Sequence, residues 1–207
     1  MKNGNSRLPS LKKRVAREAA LLLYTSQEKE YKQAKKRAAE NLGARVLPSN
    51  LEVARELDAI AEEMEGAPRH ERLIQMRKEA MKIMQIIKDF DPRLIGSVWR
   101  GTIHKNSDID IVAFASTSNA VLAQLKKGSY SIVKTEWRSV TKRNGKEASF
   151  HIYLGLPSGN LAEVVVRSAE KMNRYEKCEI FGDMVTGLRG HQLAKILKEN
   201  PSARFVP

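Results

Sequence analysis

Asp108 and Asp110 flank a single isoleucine at the head of Asp-Ile-Asp-Ile-Val-Ala-Phe, residues 108 to 114, an apolar run that reads as a strand. In a strand, residues i and i+2 point to the same face roughly 6.5 to 7 Å apart, so the two carboxylates stand side by side. Two anions so placed repel each other. Either one takes up a proton, or the strand loses stability, or a cation sits between them; divalent ions paired about 3.5 to 4 Å apart are the usual arrangement where phosphoryl groups are transferred. Hard oxygen donors favour magnesium or manganese.

The elements that must position this pair lie just upstream. Leu94-Ile95 reads as the end of a short buried strand. Gly96-Ser97 follows as a turn whose backbone can approach a ligand closely before a short helix begins near Val98. Such a helix start offers free N–H groups and a positive dipole end to a triphosphate. Ser97 adds a hydroxyl donor, and Arg100, one turn on, can reach a phosphate. Gly101-Thr102 ends the turn. His104 and Lys105 then occupy a loop that can cover a nucleotide or stay solvated, and Ser107 can cap or orient the aspartate strand.

Taken together, Gly96-Ser97, Arg100-Gly101 and Ser107-Asp108-Ile109-Asp110 resemble the signature of the DNA polymerase beta-like nucleotidyltransferase superfamily. The run is similar to the minimal nucleotidyltransferases of archaea and bacteria and to the catalytic core of archaeal CCA-adding enzymes. The resemblance implies a third carboxylate on a later strand. Glu163, the only charge inside Leu-Ala-Glu-Val-Val-Val from 161 to 166, is the candidate, where the family more often has Asp. The residues themselves leave Glu163 three roles: joining the metals, pairing with a neighbour such as Arg167, or facing solvent at a strand start.

The resemblance further implies a nucleoside triphosphate donor, ATP first, held by Gly96, Ser97, Arg100, Lys105 and Ser107. Two Mg²⁺ ions, or Mn²⁺ in their place, would be held by Asp108, Asp110 and Glu163. One ion would activate an attacking hydroxyl and the other would stabilise departing pyrophosphate, with Glu163 assisting deprotonation of the acceptor. The acceptor can be RNA, a partner protein or a small hydroxylated molecule. Two other classes stand beside this one: an antitoxin-type protein adenylyltransferase that binds and modifies a partner, and a non-catalytic RNA-binding module on the same fold. CCA addition is not carried over, because its RNA-binding domains are expected after the core and only about forty residues follow Glu163.

Composition frames these expectations. The chain has 207 residues, 42% of them hydrophobic, enough for a core in one or two domains, and no apolar run of about 18 residues suggests a membrane span. The polar, basic start from Met1 to Lys13 has no apolar leader, so a cytoplasmic protein is expected. A single cysteine, Cys178, cannot form an internal disulfide. The four histidines are dispersed without zinc-ligand spacing. The net charge of +13 fits nucleic acid, anionic substrates or a heat-adapted surface alike. Lys12-Lys13-Arg14 with Arg17, and Lys32 with Lys35-Lys36-Arg37, recur at one-turn spacing; they are either ridges for phosphates or solvated faces neutralised by Glu18, Glu28, Glu30 and Glu40.

The expected fold class is α+β: a mixed, mainly antiparallel sheet of about four or five strands with helices on one face, preceded by an all-helical region. The division falls at residue 90, with about four helices in 1–90 and the core in 91–207. The helices are read over Leu11 to Tyr24, Ser26 to Leu42, Leu51 to Glu65 and Glu71 to Phe90, with breaks at Gly43 and at Gly66-Ala67-Pro68. The third carries the apolar stripe Leu51, Ala54, Leu57, Ile60, Ala61 and Met64; the fourth carries Leu73, Met76, Ala80, Ile83, Met84 and Ile87. Further along, Asn119 to Lys127 reads as a short helix, and Tyr130 to Val140 and Ala148 to Leu156 as strands around an Asn144-Gly145 turn. Glu170 to Lys198 reads as helix interrupted by glycines.

Overall fold

A computed structural model describes residues 9–207 apart from 129, 143 and 144, and the side chains of 140–142, 145 and 146 are also outside the description. The chain forms two compact units. Among the described residues, one unit comprises 9–66 with His104–Asn106 and Glu179–Gly182; the other comprises those of Ala67–Ile103, Ser107–Cys178 and Asp183–Pro207. The Asn144-Gly145 turn lies outside the described residues.

In the first unit, α1 spans Leu11–Tyr24 and α2 spans Tyr31–Asn41, while α3, Asn50–Ile86, is broken at Gly66. Ser10 caps α1 by accepting the Lys13 N–H, and Ser49 and Glu52 form a reciprocal cap on α3: the Ser49 N–H donates to Glu52 and the Glu52 N–H donates to Ser49 Oγ. The second helix starts later than expected. Ser26 adopts φ +57°, and the N–H groups of Gln27 and Glu28 turn back onto the Leu22 carbonyl, so the chain cannot continue as helix until Tyr31. The core here is rich in alanine, with Ala16, Ala19, Ala20, Ala34, Ala38 and Ala61 buried, which lets helix backbones approach closely. Of the expected α3 stripe, Met64 is 65% exposed and Leu51 only half-buried, whereas Val53 is fully buried. The basic ridge of α1 faces acids of α3, with Lys12 paired to Glu52 at 2.8 Å and Arg17 to Glu63 at 2.6 Å. Arg37 of α2 pairs with Glu28 at 3.1 Å. Those cations are neutralised within the unit, mostly by other acids than their sequence neighbours.

The second unit begins at Ala67, not at residue 91. The α3 residues beyond Gly66 supply Leu73, Met76, Ala80, Ile83 and Met84, and Ile87 just after the helix joins them, all at most 3% exposed and in the same apolar cluster as the sheet. That shared burial is why the boundary falls at the break in α3 and not at the strand that follows it. The strands are β1 (Arg93–Ile95), β2 (Ile109–Ala115), β3 (Ser131–Lys142), β4 (Gly145–Gly155), β5 (Leu161–Ser168) and β6 (Leu188–Arg189). Their order is β3-β4-β5-β2-β1-β6, and every pair is antiparallel except β2 with β5. The helices are α4 (Gly96–Arg100), α5 (Ser118–Leu125) and α6 (Gly190–Glu199). Alternation along β2 and β5 sends Ile109, Ile111, Ala113, Ala162, Val164 and Val166 into the core beside Val121, Leu125 and Leu193 of the helices. Among the described residues the sheet therefore has six strands, and no helix is long and apolar enough to cross a membrane.

The sixth strand replaces part of the helix expected from Glu170. Only Ala169–Lys171 and α6 are helical in that stretch. Gly182 and Gly187 have positive φ, and a side chain at Gly187 would come within 2.7 Å of the Leu94 carbonyl, so the close approach of β6 to β1 requires glycine there.

Arg77 holds the core of this unit together in an unusual way. It is fully buried, and no carboxylate pairs with it among the described residues. Its guanidinium donates instead to the carbonyls of Val98 at 3.1 Å, Trp99 at 2.9 Å, Pro201 at 2.7 Å and Ala203 at 2.7 Å. Those bonds tie the end of α4 to the C-terminal segment. Burial lowers the pKa of Arg77 to about 10, still charged at neutral pH. Arg77→Met is expected to destabilise the protein by at least about 3 kcal/mol in urea unfolding, since several acceptors lose their donor at once. Arg77→Lys is expected to recover little of that, because one ammonium cannot span four carbonyls.

Candidate functional site

The face of the sheet turned away from the helices carries the polar residues. Register pairs Asp110 with Glu163 across the parallel β2–β5 ladder, and Glu163 with Tyr153 across β4–β5. Asp110, Glu163, Tyr153 and, two residues along, His151 consequently share one face. The strand proper starts at Ile109, so Asp108 sits exposed at its mouth, immediately before the ladder.

Gly96 explains how Asp110 fits. Its φ is +70°, and a Cβ built there would lie 2.0 Å from Asp110 Oδ2. The carboxylate occupies the space a side chain would need, directly against the start of α4. Ser97 is half-buried beside it, and its hydroxyl has no hydrogen-bond partner among the described residues.

The electrostatics of the cluster are unfavourable as they stand. The Asp110 pKa is pushed up to about 7, first by burial, then by the charge of Glu163, then by that of Asp108. Asp108 is also raised, by crowding from protein atoms first and by Glu163 second. Neither aspartate has a hydrogen bond or ion pair to any described residue. Glu163 does have partners. Its Oε1 lies 2.6 Å from His151 Nδ1 and 3.9 Å from Arg138 Nη1.

Around Glu163, β3 and β4 add a charged rim that the sequence reading did not single out. Glu136 accepts from Lys134, from Arg138 at 2.8 Å and from the Tyr153 hydroxyl at 3.0 Å, which together hold its pKa down at about 2. The Tyr153 hydroxyl is pushed up, by burial first and then by its hydrogen bonds toward Glu163 and Glu136. Only pairing register brings these residues to Glu163. The outward alternation of Ser149, His151 and Tyr153 was the one available signal.

The remaining expected site residues are placed differently. Arg167 pairs with Glu176 at 3.0 Å, so it is not the partner of Glu163. Arg100 is buried and makes a two-pronged salt bridge to Asp183, at 2.7 and 3.1 Å, while also donating to the Phe205 carbonyl. This pairing holds the Asp183 carboxyl below its ordinary value. A guanidinium so engaged anchors α4 and is not free for a phosphate. Lys105 belongs to the helical unit, where its backbone N–H donates to Glu65 and its ammonium lies 4.6 Å from the Tyr24 ring. Ser107 is half-buried next to Asp108. Trp99, beside Arg100 on α4, is buried in the core of the unit.

Chemically, the donor set consists of hard oxygens. Among the described residues no three acids, histidines or cysteines already converge on one ion position. Asp110 and Glu163 are nevertheless neighbours across the ladder, with backbones about 4.8 Å apart. The residues fit a divalent ion.

Two consequences can be measured. Because the folded-state pKa of Asp110 lies above its ordinary 3.8, the folded protein binds that proton more tightly than the unfolded chain does. Stability in metal-free buffer is therefore expected to rise as pH falls from about 7 toward 4, by up to about 4 kcal/mol from this group, and Asp110→Asn should flatten that dependence in urea titrations. Gly96→Ala is expected to lower the melting temperature sharply. Combining it with Asp110→Ala should recover part of the loss by removing the clash, leaving about 1 to 2 kcal/mol for the positive φ. Compared with known proteins, the chain matches no protein-family model and no curated protein.

Proposed function

We infer that the protein is a metal-dependent nucleotidyltransferase that moves a nucleoside monophosphate from a nucleoside triphosphate to a hydroxyl acceptor, releasing pyrophosphate. One observation carries this reading. Two aspartates that have no counter-charge among the described residues, one of them half-buried, stand with Glu163 at one end of a sheet face and against a glycine whose missing side chain makes room for the Asp110 carboxylate. Such crowding is destabilising by itself and becomes favourable once a divalent cation neutralises it. The mixed sheet with its helices on one face also agrees with the polymerase beta-like arrangement.

Within this reading Asp108, Asp110 and Glu163 hold the Mg²⁺ ions, or Mn²⁺, which when bound supply charge neutralisation to the triphosphate and acidify the acceptor hydroxyl. Gly96 makes room for the Asp110 carboxylate at the start of α4, and Ser97 offers the triphosphate a hydroxyl that no described residue uses. Arg100 contributes at one remove by fixing α4 to Asp183. ATP is the first donor to test, and a cytoplasmic location belongs to the same reading. The antitoxin-type adenylyltransferase shares this chemistry and differs only in its acceptor. The RNA-binding alternative is weakened by the neutralisation of Lys12, Arg17 and Arg37.

The test incubates the protein with each α-labelled nucleoside triphosphate and Mg²⁺ over panels of RNA, protein and small hydroxylated molecules. Label is expected in one panel, with pyrophosphate released, and Asp108→Ala should reduce transfer at least about 10³-fold while the protein stays folded. Undiminished labelling by Asp108→Ala would overturn the assignment.

A further inference from the structure

We propose that His151 is the positioning residue of the third carboxylate: held between Ser149 and Glu163, it fixes where that carboxylate stands beside Asp110. The inference rests on the reading above. His151 is 8% exposed, and both ring nitrogens are engaged, Nδ1 with Glu163 Oε1 at 2.6 Å and Nε2 with Ser149 Oγ at 2.8 Å. An ionised carboxylate can only accept, so Nδ1 carries the proton it donates to Glu163. Nε2 shares a hydrogen bond with the Ser149 hydroxyl, which can serve as donor or acceptor. One imidazole thus completes a chain from Ser149 through His151 to Glu163, all on the open face of β4 and β5.

The length of Glu163 is part of the same design. His151 sits opposite Val165 in the antiparallel ladder, diagonal to Glu163, where neighbours lie about 7 to 8 Å apart at the backbone. The extra methylene of glutamate, compared with aspartate, lets the carboxylate cover that diagonal while remaining on the strand position next to Asp110. Arg138, 53% exposed and 3.9 Å away, reaches the same oxygen only loosely. The buried imidazole is the rigid contact. Hydrogen-bond partners of this kind, one step removed from the ion, orient the ligands and set the affinity of the site.

Binding of Mn²⁺ to the full-length protein, read by electron paramagnetic resonance without nucleotide, tests this apart from turnover. His151→Ala is expected to weaken Mn²⁺ binding about 10- to 100-fold. His151→Asn, whose amide N–H replaces the Nδ1 donor, should recover most of it. Glu163→Asp, which is too short for the diagonal, should bind as weakly as His151→Ala, and the double variant should be no weaker than either single one. A purely structural His151 would lower the melting temperature of the alanine variant and leave its Mn²⁺ affinity within twofold of the parent; that result overturns the proposal while the nucleotidyltransferase reading stands. Additive losses in the double variant would overturn it equally, and so would His151→Asn binding Mn²⁺ as weakly as Glu163→Asp while well folded. A parent protein whose Mn²⁺ binding is absent, or indifferent to Asp108→Ala, overturns the underlying reading itself.

Discussion

Mutual repulsion among Asp108, Asp110 and Glu163 is the constraint around which the sheet unit is arranged. Asp110 is half-buried and unpaired among the described residues, with its pKa raised to about 7, a cost that a fold made only for stability would have removed with one substitution. The surroundings conform to the charge. Gly96 gives up its side chain to leave room for the Asp110 carboxylate, and the parallel pairing of β2 with β5 sets Glu163 beside Asp110 when an antiparallel partner could have placed an apolar residue there. Strain concentrated at one spot in an otherwise consistent fold is the pattern of a functional site.

The rest of the unit supplies the rigidity that this crowding requires. One face of β2, β4 and β5 packs apolar residues against α3, α5 and α6, and the other carries the charges, so period-two alternation separates the core from the polar cluster within single strands. The short α4 is too small to hold itself. Arg77 binds its terminal carbonyls to the C-terminal segment, and Arg100 joins it to Asp183 and Phe205. Two buried arginines thus keep Gly96 and Ser97 in place from behind.

Much of this was legible in the residues, for reasons that differ by element. The helix α1 and the second α3 stripe follow from 3.6-residue periodicity, and Asp110 and Glu163 could be singled out because each is a charge inside an apolar run. Their adjacency was not legible, since the sequence contains no statement of which strands pair or in what register. For the same reason His151 read as one dispersed histidine, and Arg167 was offered as a partner for Glu163 although it pairs with Glu176. Arg100 read as a phosphate contact because spacing reveals the charge but not the long-range Asp183 that occupies it. The domain boundary was set at residue 90 because one helix looks like another in sequence. Only burial shows that α3 changes core at Gly66.

The most direct measurement is a crystal structure grown with Mn²⁺ and a non-hydrolysable nucleoside triphosphate, with manganese located by its anomalous scattering. If the carboxylates exist to hold a cation, manganese appears within about 2.0 to 2.3 Å of oxygens of both Asp108 and Asp110, with Glu163 in reach and phosphate oxygens completing the shell. Manganese and triphosphate bound elsewhere, with Asp108 and Asp110 still unpaired, would contradict it.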